Sequence, residues 1–504
     1  MAGFYIENFG CRAARADGEA MKELLLRQPL AVDVVIVNTC SVTAEADRAA
    51  RAFIRKAHRQ NPAAKIVVTG CYAQRAPEEI AGMAGVAAVV GNSHKALTPE
   101  IIAGLAGNAA RTPLENLVSP ALVSLGALVN AKQAPVWVDD RFAHSFLEEA
   151  QVVPGTQTRP NLKIQEGCGN RCTFCVIPQT RGSSRSLPRA EVMRQVEGFV
   201  AAGGNELVLS GINLGRWGRD LAVCASEDSC SPTHSAQSRG KDGAPPLRRP
   251  THGPKLAGST LAGLVREILE LTALPRLRLS SIEPMDWDAE LIALMAEFGG
   301  AGQSGGRLGR HAHLPLQSGS DAVLRRMHRR YRPWHYAEKV AALVKAAGPD
   351  LTLGADVMVG FPGETDAEFE ETLEVVRALP LGYLHLFPFS PRPGTRGWAL
   401  HAESPVPAQV VDARMAALRA LSAEKTADHR RRFIGRELEA ITLHTPAAVA
   451  ARGSTAALTE NFLPVEMAGT LPANRLVRVR VTGLSAEGSL AALPTAGNQD
   501  QRDQ

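Results

Sequence analysis

An α/β architecture of three successive domains is what this 504-residue sequence predicts. Three observations predict it. Short apolar runs of strand length alternate with helix-patterned stretches over most of the chain, which argues for parallel sheets. Period-two alternation replaces that pattern only near the C-terminus, as in an antiparallel β domain. The length itself supports about three domains, each able to bury its own core. The expected fold is a doubly wound parallel sheet, then a partial (β/α)6 barrel, then a small β domain.

The first domain spans 1–94. Residues 4–8, 32–37, 65–69 and 86–90 read as short buried strands. Between them, 44–59 carries Ala, Ile and Phe at helical spacing against Arg and Lys. Cys11, Cys40 and Cys71 each follow one of the first three strands, in Phe-Gly-Cys, Asn-Thr-Cys and Thr-Gly-Cys. The carboxyl ends of parallel strands share one edge, where open α/β sheets bind ligands. Three cysteines distant in sequence should therefore converge there. Buried structural thiols would sit inside strands rather than three times at one loop position, so the placement favours an iron–sulfur cluster.

Residues 95–160 form a variable connection with little pattern. From 161 to 428, strands at 162–165, 207–210, 277–280, 312–316, 352–359 and 383–387 each lead into a polar or Gly-rich loop. Six such units suggest an incomplete barrel whose active site lies in the loops at the strand C-termini. The first loop holds Cys168, Cys172 and Cys175 in a C-x3-C-x2-C triad. Three thiolates this close can hold three irons of a 4Fe–4S cluster and leave the fourth iron open for chemistry. Zinc would want a fourth ligand, usually from a second Cys pair, and none follows at that distance. Stretches 222–259 and 299–309, rich in Ser, Gly, Pro or Arg, read as exposed insertions, and Cys224 and Cys230 within the first as incidental.

Composition is that of an ordinary globular protein, 45% hydrophobic and 21% charged, with a net charge of only +5. The first thirty residues mix charges with apolar positions, unlike a signal or transit peptide. No apolar run approaches the ~20 residues that span a bilayer. The expected compartment is the cytoplasm, with no membrane partner, where clustered cysteines are metal ligands rather than disulfides.

With six cysteines placed, the chain resembles the radical S-adenosylmethionine (SAM) methylthiotransferase family over nearly its whole length. The matching stretches are Val37-Asn-Thr-Cys-Ser-Val-Thr, Val68-Thr-Gly-Cys-Tyr-Ala-Gln, and the triad with Val176-Ile-Pro and Arg181-Gly. Further matches are His313-Leu-Pro-Leu-Gln-Ser-Gly-Ser-Asp, Asp356-Val-Met-Val-Gly-Phe-Pro-Gly-Glu-Thr and Phe389-Ser-Pro-Arg-Pro-Gly-Thr. The resemblance implies two 4Fe–4S clusters: an auxiliary one on Cys11, Cys40 and Cys71, and a SAM-cleaving one on Cys168, Cys172 and Cys175. It further implies that Glu206, Ser280 and Glu283 contact SAM, and it names no catalytic side chain. One position departs: the Asn usual three residues after the first cysteine is Ala14 here, which touches the surroundings of the auxiliary cluster and not its ligands.

Residues 429–493 resemble the RNA-binding TRAM module, with the match including Thr459-Glu-Asn-Phe-Leu-Pro-Val. Strands are expected at 438–443 and 476–481, the latter with Val477, Val479 and Val481 on one face and Arg478 and Arg480 on the other. Residues 494–504 read as a disordered tail. Two basic runs, Arg325, Arg326, Arg329 and Arg330 in the barrel and Arg430, Arg431 and Arg432 before the last domain, suit phosphate contacts. The implied activity is methylthiolation of carbon 2 of N6-threonylcarbamoyladenosine in a tRNA anticodon stem-loop. It would draw on a flavodoxin- or ferredoxin-like electron donor and an unidentified sulfur source. Arg181-Gly-Ser-Ser-Arg-Ser and Leu162-Lys-Ile-Gln most resemble that branch. The alternatives are N6-isopentenyladenosine, an aspartate of a ribosomal protein, or, in another class, a non-catalytic Fe–S or zinc RNA-binding protein.

Overall fold

The computed structural model describes residues 3–27, 32–105, 133–147, 150–154, 157–221, 260–300 and 306–495. The expected insertion 222–259 with Cys224 and Cys230, residues 301–305 of the second insertion, and the tail from 496 lie outside the described residues.

Strands β1 (Phe4–Asn8), β2 (Val34–Thr39), β3 (Lys65–Gly70), β4 (Val86–Gly91) and β5 (Val136–Trp137) make one parallel sheet in that order. Val34 and Ile36 face a core with Leu25, Val67 and Ile102, while Val37 faces another with Ile54, Val68 and Tyr72. A sheet covered on both faces needs such near-continuous apolar strands. Because the strand order never reverses, the loops after β1, β2 and β3 are immediate neighbours. The helix Ala44–Gln60 begins where the Thr43 hydroxyl accepts the Ala46 N–H at 3.2 Å, with Glu45 and Asp47 in its first turn. β5 lies in the connection that reads as patternless, because two residues carry no periodicity.

The central layer contains β6 (Asn161–Glu166), β7 (Arg185–Ser186), β8 (Glu206–Gly211), β9 (Arg276–Leu279), β10 (His311–His313), β11 (Thr352–Val359) and β12 (Tyr383–Pro388). All run parallel except β7, a short antiparallel strand on the outer side of β6. The gap between β9 and β10 is bridged by Leu277 N–H to the Arg307 carbonyl at 2.7 Å and Gly309 N–H to the Leu277 carbonyl at 2.9 Å. Six parallel strands thus curve into a partial barrel. Leu162, Ile164, Leu207, Leu209, Leu277 and Leu279 point outward into the helix-packed core. The alternate positions point inward, and many are polar, among them Lys163, Glu206, Arg276, Arg278, His311, His313 and Asp356.

The last unit is a closed five-stranded barrel, β13 (Glu437–Thr442), β14 (Ser454–Thr459), β15 (Pro464–Ala468), β16 (Leu476–Leu484) and β17 (Leu490–Pro494), in the order β13-β14-β15-β17-β16. Val477, Val479 and Val481 fill its core. Its turn at Thr459–Phe462 seals the amino-terminal end of the central barrel. The Phe462 ring lies 4.2 Å from that of His311 and is ringed by the guanidinium groups of Arg12, Arg159 and Arg278 at 5.6, 5.8 and 5.3 Å. Among the described residues, no helix is long and apolar enough to cross a membrane.

Candidate functional site

The first cysteine set lies at the carboxyl edge of the N-terminal sheet. Cys11 follows β1 and caps the helix Arg12–Leu26, Cys40 follows β2, and Cys71 follows β3. Neighbouring strands are about 4.8 Å apart, so the three loops meet. Gly10 (φ +104°) makes the contact measurable: a Cβ there would stand 2.5 Å from Cys40 Cβ and 2.7 Å from its Sγ. Burial, with the nearby Cys71 and Cys11, pushes the Cys40 thiol up to about 12. Three thiols brought together at one sheet edge are a set for a cation to occupy, because metal binding displaces thiol protons.

The second set lies in the loop after β6. The Cys168 N–H donates to the Gly182 carbonyl at 3.0 Å, and the Cys175 N–H to the Cys172 carbonyl at 3.1 Å, which folds the loop back on itself. Cys168 Sγ accepts from the Asn170 N–H at 3.4 Å and from Asn213 Nδ2 at 3.5 Å. Cys172 Sγ accepts from Arg329 Nη1 at 3.3 Å. Burial pushes the Cys175 thiol up to about 12, with Cys172 and Cys168 adding to the rise.

The two sets are physically joined. Arg181, at the end of the helix Ile177–Arg181 that follows the triad, donates from Nε to Cys71 Sγ at 3.3 Å. Asn92, just past β4, donates to Cys71 Sγ at 3.4 Å and to the Thr180 carbonyl at 2.8 Å. Arg181 is fully buried. Its Nη1 donates to Glu166 at 2.5 Å and to Asp17 at 3.4 Å, and Lys163 and Lys95 also pair with Asp17. Three cations thus meet two carboxylates, leaving one positive charge in excess beside the cysteines. They hold the Glu166 and Asp17 carboxyls below their ordinary range despite burial. Arg181 Nη2 is buried with no hydrogen-bond partner among the described residues. An unpaired N–H beside Cys71 suits a cluster sulfur as acceptor.

The expected SAM contacts separate. Ser280 follows β9 at the carboxyl edge, and its buried hydroxyl has no partner among the described residues. Glu283, three residues on, accepts two bonds from Arg329 Nη2, at 2.8 and 2.6 Å. Since Arg329 also touches Cys172, Glu283 belongs beside the triad. Glu206 does not. It begins β8, and the far end of that strand leads to Asn213 at Cys168, so roughly 16 Å of extended chain separates Glu206 from that edge. Glu206 is fully buried among Arg278, Arg159 and Arg276 at 2.9, 3.3 and 3.4 Å, which hold its carboxyl down at about 2. It closes the barrel floor as an ion-pair hub. The residue that β8 delivers to the triad is Asn213, at Cys168.

Orphaned polar atoms gather at the triad's edge. Asn213 Oδ1, Ser280 Oγ and Gln317 Oε1 are buried without partners among the described residues, and Gln317 has φ +65°. Buried polar groups are ordinarily paired, and such a row marks where a polar ligand fits. These residues fit SAM beside the triad.

The phosphate candidates also divide. Arg329 is buried between Cys172, Tyr331 and Glu283 and cannot reach a phosphate. Arg326 pairs with Glu368 at 2.8 Å, Arg325 with Asp321 at 2.9 Å and Arg431 with Asp428 at 2.5 Å. Arg430 and Arg432 donate to the Gly488 and Pro349 carbonyls. Arg325, Arg330, Arg431 and Arg432 remain exposed. The Thr459-Glu-Asn-Phe match turns inward to the barrel floor, where Asn461 Nδ2 donates to the Asp350 carbonyl at 3.0 Å. Ala14 is buried, and its carbonyl accepts from Asn38 Nδ2 at 2.6 Å, so another asparagine stands beside this loop.

Sequence reading did not single out Asn92, Asn213, or Arg181 and Arg329 as partners of the cysteines. For the asparagines a signal existed: Asn92 follows β4 and Asn213 follows β8 at the edge where cysteines follow their strands.

Residues 3–91 match a family model described as "Uncharacterized protein family UPF0004", and residues 243–376 match the Radical SAM superfamily. The threonylcarbamoyladenosine tRNA methylthiotransferase MtaB of Aquifex aeolicus (strain VF5) is 30% identical, over 94% of this chain and 99% of its own. Its namesake from Bacillus subtilis (strain 168) is 32% identical, over 95% and 94%. A tRNA-2-methylthio-N(6)-dimethylallyladenosine synthase of Cereibacter sphaeroides is 33% identical, over 86% of each chain. Among solved structures, the radical SAM methyltransferase TsrM from Kitasatospora setae aligns at TM-score 0.47 and 14% identity, over 74% of this chain and 66% of its own.

Proposed function

We propose a substrate and a division of labour for this chain, which belongs to the radical SAM methylthiotransferase family and is a tRNA methylthiotransferase of that kind. The substrate is N6-threonylcarbamoyladenosine beside the tRNA anticodon, and the methylthio group enters at carbon 2. Support for the substrate comes from the near full-length similarity to enzymes named for it. The division of labour rests on one observation: two three-cysteine sets in separate units, joined through Arg181 and Asn92.

With its 4Fe–4S cluster and SAM bound, the site supplies a carbon-centred radical, the reagent that opens an unactivated C–H bond. Cys168, Cys172 and Cys175 would hold that cluster, fed by an external electron donor. Ser280, Gln317, Asn213 and the Arg329–Glu283 pair would orient SAM against it. Arg329 and Asn213 donate to the triad sulfurs, which anchors the loop before any ligand arrives. Cys11, Cys40 and Cys71 would hold the auxiliary cluster, from or through which the inserted sulfur would come. The one positive charge left in excess by Arg181, Lys163, Lys95, Asp17 and Glu166 would offset part of the charge of its thiolates, with Arg181 in contact with Cys71. Phe462 and the Glu206 ion pairs close the opposite end against water.

Nucleoside analysis of tRNA from a strain lacking the gene tests the substrate. The 2-methylthio derivative of N6-threonylcarbamoyladenosine should vanish and return on complementation. Loss of the 2-methylthio isopentenyl nucleoside instead would transfer the enzyme to the other branch.

A further inference from the structure

We propose that His313, Asp356 and His385 form a binding site for a borderline divalent transition-metal ion such as Zn2+, separate from both cysteine sets. The three side chains come from the adjacent parallel strands β10, β11 and β12, with Asp356 paired in register to His385 and His313 paired to Gly354, two residues before Asp356 on the same face of β11. Their ligand atoms all lie within 4.8 Å of one another. His313 Nε2 is 3.0 Å and His385 Nδ1 3.3 Å from the same carboxylate oxygen of Asp356. Ligands about 2.0–2.1 Å from a tetrahedral ion stand roughly 3.3 Å apart, so these separations are those of a coordination edge.

The surroundings match as well. A metal-bound histidine needs its second ring nitrogen fixed by a partner. His313 has one: Tyr383 Oη lies 3.0 Å from Nδ1, and the same hydroxyl lies 2.7 Å from His311 Nε2. That hydroxyl fixes the His313 ring with Nε2 facing Asp356. His313 is buried and Asp356 nearly so, whereas His385 is largely exposed, so the fourth coordination position opens to the lumen for water or another oxygen ligand. Two imidazoles with one carboxylate favour Zn2+ or Fe2+ over Mg2+ or Ca2+, and the absence of sulfur separates this site from the cysteine sets.

The test uses full-length, tag-free protein carrying both clusters. It is dialysed anaerobically against micromolar Zn2+ and analysed for zinc and iron. The expected result is about one zinc per chain, reduced at least tenfold in His385→Ala and in Asp356→Asn while iron stays constant. His385 is exposed, so its variant should fold even if Asp356→Asn does not. X-ray absorption at the zinc edge should show nitrogen and oxygen neighbours. No retained zinc in the parent protein, equal retention in the His385 variant, or sulfur neighbours around the zinc would each overturn the proposal.

Discussion

The two ends of the central barrel are built from the same strands and could hardly differ more. At the floor the carboxylates are all paired, Glu206 with three arginines, Glu460 with Arg310, and Asp350 with Arg310 and Arg436, with Phe462 as a stopper, although Arg276 Nε, Arg278 Nη1 and His311 Nδ1 have no hydrogen-bond partner among the described residues. At the mouth, buried polar atoms of Asn213, Ser280 and Gln317 lack partners among the described residues, and Cys168, Cys172 and Cys175 are free thiols, as are Cys11, Cys40 and Cys71 at the edge of the neighbouring sheet. β8 runs between the two conditions, Glu206 at one end and Asn213 just past the other. Polarity inside a barrel therefore does not by itself mark a ligand site, since a floor can be as polar as an active site while its charges pair with one another to close it.

The largest expected effect comes from emptying the mouth. Replacing Cys168, Cys172 and Cys175 with Ala should abolish both 5′-deoxyadenosine release and methylthiolated nucleoside. Replacing Cys11, Cys40 and Cys71 should remove about half of roughly eight irons and abolish methylthiolation, yet leave reductive SAM cleavage detectable. Methylthiolation by the second variant would remove the auxiliary set from sulfur insertion.

Next comes a contrast between two glutamates that the sequence groups together. Glu206→Gln leaves the buried Arg278 without its carboxylate and takes one partner each from Arg276 and Arg159, and should cost about 3–5 kcal/mol of stability, read as a lower thermal midpoint, with SAM cleavage per folded molecule unchanged. Glu283→Gln loosens Arg329 at Cys172 and should lower SAM cleavage about 10–100-fold with a small change in midpoint. If Glu206→Gln instead lost SAM cleavage at full stability, the floor would be part of the site.

How much of this was legible is visible in those two residues. The strands that carry both, and the loops that carry the cysteines, follow from apolar runs and turn chemistry, which are local. The triad is local too, eight residues in one loop. The first set is legible only through topology, because Cys11, Cys40 and Cys71 meet by strand order. What sequence did not reveal is which end of a strand a polar residue serves. Gly203-Gly-Asn205 leads into β8 at Glu206 and Ile212-Asn213 follows its end, and a period-two pattern places both Glu206 and Ser210 on the inner face. Direction along the strand decides, and side-chain partners from β9 and the last domain settle it. Arg181 is the same case: its partners Cys71, Asp17 and Glu166 are 110, 164 and 15 residues away.

A smaller effect separates the two cysteine loops. Gly10→Ala places a Cβ against Cys40 at positive φ and should cost about 1–3 kcal/mol, with iron lost from the first set. Gly169→Ala, inside the triad loop, meets nothing within 4 Å and should change neither stability nor iron. Equal iron loss in both would mean that the loops are equally crowded around their clusters, against the geometry at Gly10.

The smallest effect concerns RNA, and it divides a run that looks uniform in sequence. Arg325 and Arg330 are exposed, whereas Arg329 is buried against Cys172 and Glu283. Phosphate contacts release counterions, so each one lost flattens the log–log dependence of affinity on salt by roughly 0.7–0.9. If Arg325 and Arg330 each meet a phosphate, the double change to Gln should weaken tRNA binding uniformly and reduce the slope by about 1.5, with iron content unchanged. The Asp321 partner of Arg325 does not prevent this, since an exposed ion pair contributes only about 0–1 kcal/mol and is readily exchanged. Arg329→Gln should do the reverse: it leaves the salt slope alone and disturbs the triad, seen as lower iron and less 5′-deoxyadenosine. A slope change for Arg329 equal to that of its neighbours would place its guanidinium on the RNA surface, and the hydrogen bond to Cys172 would then have no part in holding the loop.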